Sequence, residues 1–229
     1  MRLDRYLSQA TTLSRAQAQR AIRTGLVTVD GAPARDPAMH LAPTAQVALE
    51  GRPLVIAGPR YFMLHKPAGY LCATQDGAHP TVLDLLHEPR RNELHIAGRL
   101  DLDTTGLVLI SDDGHWSHRI TAPRRECPKR YRVTLAEDLA AGVAEQFAHG
   151  VQLKGEAKPT RPAQLEIVSA REVFLTIHEG KYHQVKRMFA AVGNHVIALH
   201  RVSIGAIVLD ATLPPGGYRP LRPEEIAVV

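Results

Sequence analysis

The chain has little of what several classes of protein require. It contains only two cysteines, Cys72 and Cys127, which lie 55 positions apart and match neither a disulfide framework nor a CxxC metal pair. Its longest apolar run, Met188 to Val192, has five residues, far fewer than a membrane span needs. The first arginines are not followed by the apolar segment of a signal peptide. These absences favour a soluble, cytoplasmic protein with reduced thiols.

The common motifs of nucleotide, metal and nucleophile sites are also missing. The sequence has no GxGxxG or GxxxxGK glycine loop, no GxSxG elbow and no HExxH pair. Its 12 histidines are scattered without ligand spacing, so we expect no metal site. Any reaction that the chain catalyses is therefore expected to depend on its own side chains, without a cofactor.

Positive charge is present in excess and is concentrated in two stretches. The net charge of +5 favours a polyanionic partner. Residues 1–25 hold five arginines against one acid, and residues 124–132 hold five basic residues against Glu126. A charge run is often only a solvated face. The arginines of the first stretch are Arg2, Arg5, Arg15, Arg20 and Arg23.

The first 30 residues predict two short helices and a hairpin. Ser14 and Gln17 form a capping-box pattern at the start of the second helix, and Gly25 stands where a C-terminal cap would end it. Ala18, Ala21 and Ile22 can face inward on that helix while Arg20 and Arg23 project together. The strand-like segment 27–29 and the turn 30–31 follow. Residues 51–59, bounded by turn formers, predict a linker.

Beyond Tyr61 the pattern changes to short strands interleaved with helices. Strands are predicted at Tyr61–His65, Leu107–Ser111, Tyr131–Leu135, Ala163–Val168 and Val173–His178. Helices are predicted at Thr81–His87, His115–Thr121, Gly142–His149 and Gln184–Val192. Strict βαβ spacing is missing, so we expect an α+β fold with a mixed, mainly antiparallel sheet. We expect a small domain over residues 1–58 and a larger one over residues 59–229.

The densest group of reactive side chains lies in the segment GRLDLDTTG, residues 98–106. Two glycines bracket two carboxylates and two hydroxyls, a composition typical of an exposed, tightly bent loop before a strand. For Asp103, Thr104 and Thr105 a polar turn is the favoured interpretation. For Asp101 the residues by themselves leave a turn and a catalytic carboxylate equally open.

Several segments together resemble the pseudouridine synthases. The segment GRLDLDTTGLVLISDDG is similar to the signature motif of that family, in which the aspartate of GRLD is catalytic. KPAGY (66–70), KRYRV (129–133), EGKYHQVKRMF (179–189) and VIALHRVSIG (196–205) resemble further motifs of the family. The first 50 residues resemble the S4 RNA-binding module, an arrangement that fits the RsuA family. Related enzymes often have arginine at the position of Lys186. Lysine keeps the positive charge but lacks the two parallel N–H donors with which a guanidinium binds a carboxylate.

The resemblance implies an activity and a set of site residues. It implies that Asp101 is catalytic, that Tyr131 faces the uracil, that Lys186 pairs with Asp101, and that Leu199 closes the apolar side of the pocket. Isomerising uridine to pseudouridine oxidises nothing and transfers no group to or from the substrate, so no cofactor is needed. The target nucleotide must leave its stack, and Arg99 is the candidate to fill the vacated space, with a salt bridge in the loop an equal alternative.

The expected partner is ribosomal RNA, and 16S rRNA with a uridine-516-type site is favoured. The substrate could be the free rRNA or an assembly intermediate of the small subunit. The first-stretch arginines together with Arg124, Arg130 and Arg187 are candidate contacts to the RNA backbone. No membrane contact is expected. We expect a monomer, because the sequence shows no apolar face that a second subunit would have to cover.

Three alternatives remain at this stage. The chain could be a non-enzymatic S4-type RNA-binding protein, or a pseudouridine synthase that acts on 23S rRNA. It could also be a glycosidase that uses Asp101 and Asp103, which would require the two carboxylates to converge on one bond at a separation of about 5–9 Å.

Overall fold

A computed structural model describes residues 1–56 and 58–229, and these residues form two units, Met1–Gly58 and Pro59–Val229. Ala57, which belongs to the predicted linker, lies outside the described residues. Both units combine helices with sheets, and the predicted α+β class is confirmed.

The first unit begins with the two predicted helices, α1 (Leu3–Ala10) and α2 (Arg15–Arg23). The capping box is present at α2, because the Gln17 amide donates to Ser14 Oγ over 3.3 Å and the Ser14 amide donates to Gln17 Oε1 over 2.8 Å. Gly25 follows the end of α2 with φ +79°, a conformation that glycine adopts without strain. Ala18, Ala21 and Ile22, which the sequence predicts to face inward on α2, are buried in the structure.

Four strands complete the first unit, and one of them corrects the sequence analysis. They are β1 (Val27–Val29), β2 (Ala32–Pro33), β3 (Val47–Leu49) and β4 (Arg52–Leu54), in the order β2-β1-β3-β4. The prediction of a linker over residues 51–59 is wrong for residues 52–54, because β4 pairs antiparallel with β3 through a tight turn at Glu50 and Gly51. The turn formers that bound this segment therefore close a hairpin rather than begin a linker.

A single sheet of nine strands organises the second unit. Its strands and helices in chain order are β5 (Tyr61–Lys66), β6 (His95–Ala97), β7 (Thr105–Ser111), α3 (Gly114–Thr121), β8 (Lys129–Leu135), α4 (Val143–His149), β9 (Gln164–Ser169), β10 (Glu172–Ile177), α5 (Gln184–Ala191), β11 (Val196–Ile204), β12 (Ile207–Val208), β13 (Tyr218–Pro220) and α6 (Pro223–Ala227). The strand order is β13-β5-β7-β11-β8-β10-β9, with β6 paired to β7 and β12 paired to β11.

The sheet is mixed, as predicted, and nearly all of its pairs are antiparallel. Within the part of the chain that the structure describes, β7 and β11 form the one parallel pair. They lie in the middle of the sheet, and the two apolar cores of this unit pack on its two faces. The loop that enters β7 is therefore anchored on the most deeply packed part of the unit.

The helix predicted at Thr81–His87 is wrong in type and length. The structure has a 3-10 turn at Val82–Leu85, which ends because Leu86 is extended. The Asp84 carboxylate accepts hydrogen bonds from the amide and the hydroxyl of Thr81 and so closes the turn on itself. Thr81 also bridges to Leu71, which leaves the segment too short for an α-helix. The other predicted helices and strands of this unit are confirmed with shifts of one or two residues at their ends.

Candidate active site

The loop between β6 and β7 forms one wall of a cavity of about 460 Å³. Asp101 lies on this loop with its side chain 28% exposed, and its backbone carbonyl accepts a hydrogen bond from the Thr104 amide that closes a turn. Tyr131 and Leu199 line the same cavity from the neighbouring strands β8 and β11. Residues separated by up to 98 positions in the sequence are thus brought together around one carboxylate.

Two basic side chains approach the Asp101 carboxylate from the segment that begins α5. Lys186 Nζ lies 3.6 Å from Asp101 Oδ2, and His183 Nε2 lies 3.5 Å from Asp101 Oδ1. The carboxylate therefore has one basic group near each oxygen, an amine at Oδ2 and an imidazole at Oδ1.

Lys186 makes its shortest contacts with the second carboxylate of the loop. Its ammonium donates to both oxygens of Asp103, over 2.6 and 2.8 Å. This hydrogen bond lowers the pKa of Asp103 from its ordinary value of 3.8, so Asp103 stays ionised. Asp103 is 69% exposed at its side chain, and it holds the lysine beside Asp101. We expected Lys186 to pair with Asp101. In the structure Lys186 contacts both carboxylates, and Asp103 is the nearer of the two.

Tyr131 and Leu199 supply the apolar part of the cavity. They are 7% and 8% exposed, and both pack into the larger core of the unit. Tyr131 stands opposite Arg201 in the register of β8 with β11, and Leu199 stands opposite Val133. An aromatic face and an aliphatic side chain on two adjacent strands form a slot suited to a flat ring.

A buried lysine holds the loop from below. Lys66, at the end of β5, is 0% exposed, and its ammonium donates to the backbone carbonyls of Pro67, Leu102 and Thr104 over 2.7 to 3.1 Å. Burial lowers the pKa of Lys66, because water no longer solvates the charged form. Three carbonyl dipoles replace that water and fix the backbone on both sides of Asp103.

A buried arginine holds the loop from the opposite end. Arg201, on β11, is 1% exposed, and its guanidinium donates to the carbonyls of Gly98, Arg99 and Leu107. The contact depends on a close approach of β7 to β11, since a Cβ at Gly106 would lie 2.3 Å from the Arg201 carbonyl oxygen. Gly106 also has φ +107°, so a side chain there would be strained as well as crowded.

Arg99 lines the cavity beside Asp101 and is exposed. Its carbonyl accepts the hydrogen bond from Arg201, whereas its guanidinium has no carboxylate partner among the described residues. The alternative of a salt bridge that holds the loop therefore has no support from the geometry. The backbone of Arg99 is fixed while its side chain is available at the mouth of the cavity.

The candidate RNA-contacting cations have unequal surroundings. In the first unit Arg5, Arg20 and Arg23 are exposed, and none of the described acidic side chains forms an ion pair with them. Arg2 and Arg15 contact Asp4, which is fully buried, and these hydrogen bonds hold the pKa of Asp4 well below its usual range despite the opposing effect of burial.

In the second unit two of the three candidates have internal partners. Arg130 donates to Glu166 over 2.8 Å and lies over the Phe174 ring. Arg187 binds Glu156 and the carbonyls of Tyr182 and Lys154. Arg124 is exposed on a 3-10 turn without an ion-pair partner in the described part of the chain.

Sequence reasoning missed three residues of this site. Lys66 was noted only as part of a motif, and neither Arg201 nor His183 was a candidate. No sequence pattern predicts that Lys66 and Arg201 are buried at this site, because their hydrogen-bond acceptors are backbone carbonyls, which every residue type has. His183 does carry a signal, since it precedes the helix in the same segment as Lys186.

The residues that the structure describes include no group of three or more His, Cys, Asp or Glu side chains that could hold a metal ion. Cys72 and Cys127 are both free thiols. No helix of the described chain is long and apolar enough to cross a membrane.

Comparison with known proteins gives consistent matches over the whole chain. The family model described as RNA pseudouridylate synthase matches residues 60–191, and the model of the S4 domain matches residues 1–47. Ribosomal small subunit pseudouridine synthase A of Escherichia coli K12 is 60% identical over 230 residues, covering 100% of both chains. The protein of that name from Vibrio cholerae is 54% identical and covers 100% of this chain and 99% of its own.

A solved structure resembles the chain over its full length. A crystal structure of a pseudouridylate synthase superimposes with a TM-score of 0.73 at 46% identity, covering 100% of this chain and 99% of the other.

Proposed function

The chain belongs to the RNA pseudouridylate synthase family, and from that premise we propose that it converts one uridine of small-subunit ribosomal RNA to pseudouridine with Asp101 as the catalytic residue. The enzyme is an isomerase with an S4 domain at its N-terminus. The target nucleotide and the role of each side chain are the parts that we propose.

One observation carries the assignment of Asp101. Its carboxylate lies in a cavity of about 460 Å³ with a cation near one oxygen, an imidazole near the other, and an aromatic and an aliphatic wall beside it. A carboxylate flanked in this way is held in one orientation.

The reaction needs little more than this group. The bond between N1 of uracil and C1′ of the ribose breaks, the base turns, and a bond forms between C5 and C1′. The hydrogen leaves C5 and N1 gains one, so the composition of the nucleotide is unchanged. Asp101 acts either as a nucleophile or as the negative charge that stabilises a cationic or glycal intermediate, and both roles require an ionised carboxylate.

The surrounding side chains divide the remaining tasks. Tyr131 contacts the face of the uracil, and we assign to its hydroxyl the transfer of the proton from C5. Leu199 covers the apolar edge of the base while it turns. Lys186, held by Asp103, keeps the orientation of Asp101.

Access to a uridine in folded RNA requires that the nucleotide leave its stack. Arg99 stands next to Asp101 with a fixed backbone, and its guanidinium has no carboxylate partner among the residues that the structure describes. A guanidinium can stack on bases and bind phosphates. We assign Arg99 to the space that the target base leaves. Exposed arginines of α2 and Arg124 bind the RNA backbone with little dependence on base sequence.

The choice of RNA follows from the relatives. The two relatives above are named as enzymes of the ribosomal small subunit, and the chain matches them from end to end. We propose 16S rRNA, at the uridine-516-type position, as the substrate, either free or in an assembly intermediate. A glycosidase that uses Asp101 and Asp103 is disfavoured, because Asp103 binds Lys186 and is outside the set of described residues that line the cavity.

The test compares the wild-type protein with the Asp101→Asn variant, a change of charge at nearly constant shape. Each is incubated without cofactor on unmodified 16S rRNA, and pseudouridine is mapped by carbodiimide-blocked primer extension. We expect one new stop with the wild type and none with the variant, although both bind the RNA. Modification of 23S rRNA alone would refute the proposed substrate, and free uracil as a product would refute the isomerisation.

A further inference from the structure

An exposed aromatic pair stands at the mouth of the cavity. The rings of Tyr182 and His183 are stacked, with centroids 3.9 Å apart and planes inclined by 17°. Tyr182 is 74% exposed, an unusual state for an aromatic side chain, whereas the side chain of His183 is 37% exposed. One face of the tyrosine ring is covered by the imidazole, and the rest of the ring is open to solvent.

The pair is rigidly held. His183 has φ +47°, which is a strained conformation for a residue other than glycine. Tyr182 is fixed through its backbone, since its carbonyl accepts a hydrogen bond of 3.0 Å from Arg187, which Glu156 holds in turn. The backbone that carries the exposed tyrosine is thus held in place, which lowers the entropic cost of binding a ligand at its ring.

The position of the pair relates it to the reaction. Tyr182 and His183 both line the cavity that contains Asp101, and His183 Nε2 is 3.5 Å from the carboxylate. The target uracil belongs deeper in the cavity, against the buried Tyr131 and Leu199. A ring at the mouth of the cavity is therefore within reach of the nucleotides that flank the target.

From these observations we infer that Tyr182, backed by His183, is a stacking subsite for an unpaired nucleobase next to the target uridine. This inference rests on the proposed function and adds a second contact to it. Aromatic side chains bind bases of single-stranded RNA by stacking, with little preference for one base. Extrusion of the target leaves its neighbour without a stacking partner, and the tyrosine replaces that partner.

The structure also offers a simpler role for Tyr182, which is to cover His183 and its contact with Asp101. The two roles predict different rescues. A cover needs only bulk, so leucine would serve. A stacking subsite needs a flat ring, so phenylalanine and tryptophan would serve and leucine would not.

The first experiment measures steady-state turnover of the rRNA substrate by Tyr182→Ala, Tyr182→Leu, Tyr182→Phe and Tyr182→Trp. We expect KM to rise about tenfold or more in the alanine and leucine variants with kcat changed much less, and to stay near the wild-type value in the two aromatic variants. Ile197→Ala is the matched control, because Ile197 is 68% exposed and is not among the described residues that line the cavity. A leucine variant with the KM of the wild type would overturn the subsite.

The second experiment separates the subsite from the chemistry. The Asp101→Asn protein is titrated with a single-stranded RNA oligonucleotide that carries 2-aminopurine at the position before or after the target uridine, and fluorescence is recorded. We expect quenching at one of the two positions, lost when Tyr182→Leu is added and kept with Tyr182→Phe. Quenching that is unchanged by Tyr182→Leu, or lacking at both positions, would overturn the proposal. Since no turnover is needed, this result stands apart from whether pseudouridine forms.

Discussion

The arginines of α2 in the first unit and those of β8 in the second have the same chemistry and a similar density in the sequence, but their surroundings differ. Arg20 and Arg23 project from one helix face, where the described residues provide no carboxylate partner. Arg130 and Arg132 stand on strand β8 and form ion pairs with Glu166 of β9, the next strand but one, and Glu172 of the adjacent strand β10. Arg130 and Arg132 therefore already have carboxylate partners, whereas Arg20 and Arg23 have none among the described residues and can bind phosphates.

The loop that carries Asp101 extends the comparison to buried cations. Lys66 and Arg201 bind six backbone carbonyls between them and none of the described carboxylates. Among the described residues a positive charge can thus fix a loop, form an ion pair or face solvent. The number of basic residues in a segment does not distinguish these uses.

The largest effect is expected where a buried cation fixes the loop. Lys66→Met should lower the free energy of unfolding of the second unit by about 2–4 kcal/mol, because three buried carbonyls lose a charged donor. It should also abolish most of the turnover. Urea denaturation and the rate of pseudouridine formation measure the two effects.

The control for that variant is Lys158→Met, at an exposed lysine of the same unit. A Lys66→Met protein as stable as this control would contradict the idea that the ammonium fixes the loop.

Lys186 is intermediate between the buried cations and the solvent-exposed ones, since it is partly exposed but contacts two carboxylates. Lys186→Ala should lower kcat about 10- to 100-fold through misplacement of Asp101, with a smaller change in RNA affinity. Lys186→Arg should retain most of the activity. If affinity instead fell and kcat were unchanged, the lysine would be a phosphate contact. Single-turnover kinetics and a filter-binding titration distinguish the two results.

The contrast between α2 and β8 can be tested directly with paired variants. Arg20→Ala with Arg23→Ala should weaken RNA binding at all sequences and lower the slope of log K against log salt by about 1.4–1.8. Arg130→Ala with Arg132→Ala should change that slope much less, because these arginines already have partners. Equal slopes for the two double variants would contradict the idea that Arg20 and Arg23 are more available to phosphates than Arg130 and Arg132. Affinity is measured between about 50 and 200 mM salt, the range over which such contacts are sensitive.

The smallest effect is expected at an ion pair far from the cavity. The hydrogen bond from Arg219 lowers the pKa of Glu225 to about 2 from its ordinary value of 4.5. A carboxylate with a lowered folded-state pKa adds stability above the unfolded-state value, and this stability is lost as the pH falls from 4.5 through about 2. Glu225→Gln should remove about 1 kcal/mol at neutral pH and flatten the loss below pH 4.5, after allowance for solvent screening. Urea midpoints of both proteins at a series of pH values test this.

Local patterns in the sequence predicted most of the elements of the fold. The capping box at Ser14 and the hairpin after Val29 were predictable because each depends on residues within four positions of one another. Strand β4 was not predicted, although its partner β3 lies across a two-residue turn, because the turn formers around it were interpreted as a linker. The 3-10 turn at Val82 was not predicted, since the bridge from Thr81 to Leu71, a partner elsewhere in the chain, limits its length. For the same reason a tightly bent polar loop around Asp101 was foreseen, whereas the cations that fix it were not.

The sequence by itself determined most of the strands and helices, where the reactive carboxylates lie, and the family to which the chain belongs. The tertiary structure decided how charges are used. It placed Lys186 nearer to Asp103 than to Asp101, brought His183 to the other oxygen, and committed Lys66 and Arg201 to backbone carbonyls. The physical reason is that hydrogen bonds and ion pairs act over about 3–4 Å in space, so the partner of a side chain depends on strand register and burial rather than on distance along the sequence.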